Sequence, residues 1–192
     1  MKLNPLSLSV LLAWTSFGLA QPAPQPSSAR GWQQSQKTDP AQTYTFTRFT
    51  LVGRFANAPK QKVGDRPALT VDCIPGTASH PKGRYLAADL MVGTEVKIVY
   101  VEPEEIHGLS YYPKVDVRYR ADDAKGEERD RWSAGADKAS ASVPEAVLKK
   151  MLHARILTIT VDGLNGSQLP MQFDIPDSTI VEQGCHVDEH TK

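Results

Sequence analysis

The sequence predicts a mainly β fold, an antiparallel β-sandwich or an open barrel with one short late α-helix. Eight segments alternate apolar and polar residues with the period of two that a half-buried strand requires. Turn-forming Gly, Pro, Asn and Asp residues separate these segments at short intervals. Only one segment, near residue 150, has helical spacing. Strands in this order imply packed antiparallel sheets, with the helix covering one end.

Residues 1–20 are predicted to be a signal peptide. Lys2 provides the positive start, Leu6 to Leu19 the apolar stretch, and Gly18 and Ala20 the small residues before the expected cleavage point. A membrane anchor is the alternative, but a spanning helix needs roughly 20 mostly apolar residues and this stretch is shorter and contains Pro5. We therefore expect an exported protein, periplasmic or extracellular, with no transmembrane segment after cleavage.

Residues 21–43 are rich in Pro, Gln and Ser and are predicted to form a disordered tether. Such a segment buries too little apolar surface to offset the entropy of ordering, and Trp32 is its one anchoring side chain. Residues 44–192 then form a single β-rich domain, long enough to bury a core.

The alternating segments predict the strands of this domain. In Lys114–Arg120, for example, Val115, Val117 and Tyr119 share one face, opposite Asp116 and the arginines. The predicted strands are Tyr44–Val52, Ala68–Ile74, Arg84–Leu90, Glu95–Val101, Lys114–Arg120, Arg129–Ala134, Ile156–Asp162 and Pro170–Ile175.

The predicted helix covers Pro144–Ala154. Its apolar residues fall on one face, with Lys149 and Lys150 opposite. Ser142 and Glu145 have the spacing of a capping box. His153 is expected at the helix end, where positive charge suits the dipole, rather than in catalysis.

The two cysteines, Cys73 and Cys185, are predicted to form a disulfide. An exported chain reaches an oxidising compartment, and neither cysteine has another partner in the sequence. Cys73 shares a face with Leu69 and Val71, so its sulfur is expected to point into the core. Two free thiols or an intermolecular bridge are the alternatives.

Asn165 and Gly166 lie between two strands and predict a type I′ hairpin turn, in which both residues adopt positive φ. With Ser167 they also form an N-glycosylation acceptor, a use that requires a eukaryotic secretory route.

Two clusters carry groups that acid-base or metal chemistry uses. The first lies in a loop with Pro103 and Gly108, the second in the C-terminal tail, and in both we expect the charges simply to be solvated. The clusters are Glu102, Glu104, Glu105 and His107, and His186, Asp188, Glu189 and His190. We assign no catalytic residue, no metal site and no cofactor.

Arg118, Arg120, Arg129 and Arg131 are the best candidates for a ligand site. If Trp132 shares the buried face with Val117, all four arginines emerge together as a cationic strip able to grip phosphate or carboxylate. Shifting the pairing by one residue sets them against Glu128 and Asp130, as ordinary cross-strand ion pairs. We favour this salt-bridge register, because like charges placed opposite each other cost energy.

Composition and motifs limit the function. Lys and Arg number 22, as do Asp and Glu, so the formal net charge is zero and nothing in it favours nucleic acid or an anionic membrane surface. Hydrolase, zinc-protease and phosphate-loop motifs are absent from the sequence. The prediction is a non-enzymatic exported interaction or structural domain whose partner is another exported protein or a cell-envelope component. The alternatives are a small-ligand or metal-binding module, or a hydrolase without a recognisable motif.

From residue 66 to Cys185, the order of several segments resembles the periplasmic accessory proteins associated with type VI secretion. They are Arg66-Pro67-Ala68-Leu69-Thr70-Val71-Asp72-Cys73, Val115-Asp116-Val117-Arg118-Tyr119-Arg120, Trp132, Leu148-Lys149-Lys150-Met151-Leu152 and Phe173-Asp174-Ile175, followed by the closing Cys185. The resemblance implies a small exported β-domain with paired cysteines. Where those proteins continue into Phe-Asp-Leu-x-Gly-Leu, this chain has Phe173-Asp174-Ile175-Pro176-Asp177, and no functional residue carries over.

Overall fold

A computed structural model of the chain describes residues 31–39, 44–58, 65–75, 85–101, 112–122 and 124–185. Across these residues it has eleven strands and two helices. The strands are β1 (Gln33–Thr38), β2 (Thr45–Val52), β3 (Arg54–Phe55), β4 (Ala68–Ile74), β5 (Tyr85–Met91), β6 (Val99–Val101), β7 (Tyr112–Ala121), β8 (Glu128–Ala134), β9 (Ser140–Ser142), β10 (Ile156–Asp162) and β11 (Gln168–Asp174). The helices are α1 (Glu145–Leu152) and α2 (Thr179–Cys185).

All eleven described strands belong to one antiparallel sheet, in the order β1-β2-β4-β5-β9-β8-β7-β10-β11-β3, with β6 paired to β7 beside this path. Only Gly53 separates β2 from β3 in the sequence, yet β2 is second and β3 last in the strand order of the sheet. Because these two strands are nearly continuous, the sheet must curl until its opposite ends come close together. The predicted mainly β class is confirmed, in its open-barrel form.

Gly53 is needed at this crossing because the chain passes very close to β11. A Cβ atom there would lie 2.6 Å from the Phe173 ring and 2.9 Å from the Gln172 carbonyl oxygen. The Gly53 amide donates to the Pro67 carbonyl, so the segment stays bonded towards β4 while β3 pairs with β11. Glycine here allows one segment to bridge both sides of the barrel.

The predicted helix is confirmed as α1, which begins at Glu145 and ends at Leu152. It packs against β5 and turns its apolar face into the core, where Val147, Leu148, Met151 and Leu152 are buried. His153 is its C-cap, as predicted. The predicted capping box is wrong: Pro144 is the N-cap, and the Ser142 hydroxyl donates instead to Asp89 at 2.8 Å.

The second helix, α2, is absent from the sequence-based prediction, which had a single helix. It is held against β4 by the disulfide between Cys185 and Cys73, whose Cα atoms are 5.0 Å apart and which are 112 residues apart in sequence. Val181 is fully buried, and Gly184 lies so close to Phe49 that a Cβ atom would be 2.6 Å from the ring. The predicted disulfide is confirmed, and both cysteines are buried.

The predicted tether is wrong at its C-terminal end. Gln33–Thr38 forms strand β1, which pairs along its whole length with β2, and Trp32 packs against the core. A strand does not need apolar alternation when its backbone joins an existing sheet edge, so the structured domain begins well before residue 44. The predicted signal peptide lies outside the described residues.

The hairpin between β10 and β11 is confirmed, but its turn is not type I′. Gly166 has φ +78°, whereas Asn165 has negative φ, and the Gly166 amide donates to the Gly163 carbonyl. The Gly163 amide donates to the Ser167 carbonyl and closes a three-residue hairpin loop, residues 164–166. Such a loop is a type I turn followed by a G1 bulge, with Gly166 in the left-handed conformation. The Asn165 side-chain oxygen accepts from the Ser167 amide and hydroxyl, an Asx turn that fixes the loop.

The core fills the barrel with the inward residues of every long strand. It includes Phe49, Leu69, Leu90, Trp132, Leu157, Ile159, Met171 and Phe173, each fully buried. Neither helix in the described part of the chain is long and apolar enough to cross a bilayer.

Candidate functional site

The pairing of β7 with β8 decides where the four predicted site arginines lie. Val115 stands opposite Trp132, and Arg118 stands opposite Arg129. Directly opposed residues share a face, so Val115 and Trp132 point into the core while Arg118 and Arg129 point outward. The salt-bridge register that we favoured from the sequence is therefore wrong.

Burial explains why this register wins. Trp132 is fully buried and Val115 is 1% exposed. Burying such side chains contributes about 1.5–3 kcal/mol each. Like charges opposed on a wet sheet face cost only about 0.2–1 kcal/mol. A shift by one residue would expose Trp132 or bury an arginine, so the apolar face fixes the register and the arginines follow.

The sequence contained the signal for this outcome. If Trp132 is buried, Asp130 and Glu128 share its face by alternation, and Arg129 and Arg131 must point the other way. The acidic residues meet partners on that inner face: Asp130 accepts from the Trp132 indole N–H at 3.1 Å, and Glu128 accepts from the Tyr119 hydroxyl at 2.7 Å. They are therefore not available as the arginines' cross-strand partners.

Glu128 also links the barrel wall to α1. Its carboxylate accepts from Lys150 at 2.8 Å as well as from Tyr119. The hydrogen bonds from Lys150 and then Tyr119 lower the pKa of Glu128. Burial, followed by the bond to Glu128, raises the pKa of Tyr119 to about 12. This cluster holds helix and strand together and lies on the opposite side of the sheet from the arginines.

We call Arg118, Arg120, Arg129 and Arg131 the arginine face. Two of its members hold carboxylates: Arg118 Nη2 lies 2.9 Å from Asp162 Oδ1, and Arg131 Nε lies 3.0 Å from Asp116 Oδ1. No ion pair joins Arg120 or Arg129 to any described residue. Arg129 is exposed and stands directly opposite Arg118.

An open groove of about 580 Å³ runs along this face. It is lined by the outward residues Arg118, Arg129, Arg131, Asp116 and Asp162, and also by Val117 and Asp130, whose side chains belong to the inner face. The Asp130 carboxylate is occupied by the Trp132 indole and by the Arg131 backbone amide at 2.7 Å. Arg129 is thus the one guanidinium lining the groove without an ion pair to a described residue.

A second cavity, of about 320 Å³, lies between the end of α1 and α2. Its lining includes His153, Arg155, Ser178 and Glu182. His153 Nδ1 is 3.6 Å from Glu182, but the Ser178 hydroxyl is directed to the Pro176 carbonyl at 3.5 Å. Serine and histidine do not form the hydrogen-bonded pair that nucleophilic catalysis requires.

The other predicted clusters lie beyond the described residues. Glu102, Glu104, Glu105 and His107 fall in the range 102–111, and His186, Asp188, Glu189 and His190 in the range 186–192. Within the part of the chain that the structure describes, no three His, Cys, Asp or Glu side chains converge as metal ligands would.

Comparison of the chain with known protein families, with curated proteins and with solved structures found no match.

Proposed function

We propose that this chain is an exported, non-enzymatic binding domain whose arginine face receives an anionic group of another exported protein or of a cell-envelope component. One observation carries the proposal: Arg118 and Arg129 are held opposite each other on an exposed sheet face, and no described carboxylate pairs with Arg129. An oxyanion between the two guanidinium groups would turn a repulsive pair into charge-assisted hydrogen bonds.

Export is supported by the predicted signal peptide at residues 1–20 and by the disulfide. A bond between Cys73 and Cys185 persists in an oxidising compartment and is rare in the cytosol. A partner in the same compartment follows from this location. The resemblance to periplasmic accessory proteins of type VI secretion remains a prediction, and it suggests a component of such a secretion system as the partner.

Inorganic phosphate is a suitable first probe, titrated into ¹⁵N-labelled protein with its disulfide intact and ionic strength held constant with NaCl. We expect saturable shifts of the amide signals around Arg118 and Arg129. Arg129→Gln should weaken binding about tenfold, which is the loss of one charge-assisted contact of roughly 1.4 kcal/mol.

The matched control is Lys37→Gln, which removes a single exposed positive charge from β1. Because β1 is at the far end of the sheet order, this variant should bind phosphate as the wild type does. Equal phosphate affinity in Arg129→Gln and wild type, or shifts spread over the whole surface, would contradict the proposed function.

A further inference from the structure

Arg120 is the second arginine of the arginine face without an ion pair to a described residue. It is exposed and lies two residues from Arg118 on β7, so both side chains leave the same side of the sheet about 7 Å apart. Arg129, opposite Arg118, is its diagonal neighbour at about 7–8 Å. An anion bound between Arg118 and Arg129 therefore has a further guanidinium group within reach along β7.

The neighbours of Arg120 leave its guanidinium group open to a ligand. Thr158 stands opposite Arg120 on β10 and carries no charge. On the other side, the paired part of β8 ends at Glu128, whose carboxylate belongs to the inner face. Glu127 comes next along the chain, and no ion pair joins it to Arg120.

The arginine face is polarised along β7. Its two carboxylates, Asp116 and Asp162, both line the groove, and each already pairs with an arginine. Arg120 lies on the other side of Arg118, towards the turn between β7 and β8, and does not line the groove. Four guanidinium groups face two carboxylates, so two positive charges remain, and the two unpaired guanidinium groups carry them.

This excess of positive charge favours a ligand with more than one anionic group. Coulomb energy is proportional to the product of the charges, so each added negative charge increases the attraction. Once the first group is bound, a second group on the same molecule is held beside Arg120 at a high effective concentration. Phosphate groups gain most, because a phosphomonoester carries about −1.5 to −2 charges at pH 7 and a carboxylate carries one.

Resting on the proposed function, we infer that the arginine face binds a ligand with two phosphate groups about 7 Å apart, the spacing of neighbouring outward residues on a strand. The first group lies in the groove between Arg118 and Arg129. The second lies on Arg120, towards the turn between β7 and β8. In the opposite direction along β7 the second group would meet Asp116, so the ligand binds in one orientation.

The test compares three probes by NMR titration of the full disulfide-bonded chain, with ionic strength held constant with NaCl. Propane-1,3-diyl bisphosphate has two phosphate groups on a short chain, propyl phosphate has one, and glutarate has two carboxylates on a chain of similar length. We expect the bisphosphate to bind at least about fivefold tighter than propyl phosphate, since two independent groups alone give only about twofold. Glutarate should bind more weakly than the bisphosphate.

Arg120→Gln tests where the second phosphate group lies. In this variant the preference for the bisphosphate over propyl phosphate should fall to about twofold, because one group at a time can then be held. Its affinity for propyl phosphate should stay within about twofold of wild type, since Arg118 and Arg129 are intact.

The matched control is Lys114→Gln, which removes one positive charge from the same face of the same strand. Lys114 is four residues from Arg118 on the side away from Arg120, about 14 Å along the strand and beyond the screening length of about 10 Å at 0.1 M salt. This variant should keep the wild-type preference for the bisphosphate.

Three results overturn the inference: a wild-type preference for the bisphosphate under about fivefold, glutarate binding as tightly as the bisphosphate, or a preference that survives Arg120→Gln. With any of them, weaker binding of propyl phosphate by Arg129→Gln leaves the proposed function intact. A lack of any Arg129-dependent response to all three probes refutes the proposed function as well.

Discussion

Asp122 is the residue that fastens the β7–β8 hairpin to β10. It has a positive φ of 48°, a conformation that Asp and Asn tolerate better than most residues. Its carboxylate accepts from the Ile156 amide at 3.0 Å and from the Arg155 amide at 2.6 Å. These bonds, that to Ile156 first, lower the pKa of Asp122 below its ordinary value.

A lowered pKa makes this anchor sensitive to acid. The stability that the Asp122 carboxylate contributes is present above its unfolded-state pKa and is lost as the pH falls through the lower, folded-state pKa. We expect Asp122→Asn to be less stable than wild type at neutral pH, with the difference shrinking below the ordinary Asp pKa of 3.8. Urea unfolding of both proteins at neutral and acidic pH measures this.

Glu127→Gln is the control for this comparison, since no described group bonds the exposed Glu127 side chain. Its stability relative to wild type should depend on pH less than that of Asp122→Asn. A constant gap between wild type and Asp122→Asn at every pH would mean that the Asp122 carboxylate does not hold the hairpin through its charge.

Sequence reasoning at the residue scale found the alternation of β7 but not its pairing. The alternation of apolar and polar residues shows which residues of one strand share a face. It correctly predicts that Val115, Val117 and Tyr119 are buried. Pairing depends on the partner strand, where Trp132 is decisive. Surface charge alone favours the register with ion pairs. The burial of the Trp132 indole contributes more free energy than such ion pairs do, so it decides the register.

Among the secondary-structure elements, α2 depends most on a covalent bond. It has seven residues, too few for an isolated helix to be stable in water. Its buried contacts are Val181, Gly184 against Phe49, and the Cys185 disulfide to Cys73 on β4. The disulfide joins the end of the described chain to a central strand of the sheet.

Removal of this bond should cost much of the stability of the fold. For Cys73→Ala/Cys185→Ala we expect the free energy of unfolding to fall by about 4–5 kcal/mol, the chain-entropy value for a closed loop of 112 residues. Urea unfolding of this variant and of wild type, each with and without reductant, measures the loss.

Reductant should lower the stability of wild type towards that of the variant and leave the variant itself unchanged. A loss under about 1 kcal/mol would show that α2 and β4 stay associated without the disulfide, contrary to the expectation from loop closure.

The elements that sequence reasoning missed share a physical feature: each is stabilised by neighbours instead of by its own pattern. β1 is a polar strand that pairs along β2, and β9 has only three residues between β5 and β8. α2 places few apolar residues on its buried face. Tertiary pairing decides such segments, whereas β10 and α1 could be predicted because their apolar periods are long and regular.

At the scale of the whole molecule, the inner surface of the barrel determines its outer surface. Core side chains fix the pairing of every long strand, and the outward residues take whatever positions remain. The closure at Gly53 was not predictable, because it depends on a two-residue strand pairing with β11. On β7 and β8, the residues that point outward form the arginine face, in which Arg118 lies opposite Arg129.

The most direct test of this account is the free energy of unfolding of Arg129→Glu, measured by urea denaturation beside wild type and Arg129→Gln. Opposite Arg118, a glutamate replaces repulsion with attraction, so we predict that Arg129→Glu is more stable than wild type by about 0.2–1 kcal/mol, with Arg129→Gln between them. The same variant should no longer bind phosphate. If Arg129→Glu is less stable than wild type, Arg129 already faces a carboxylate, and both the register and the proposed binding face are wrong.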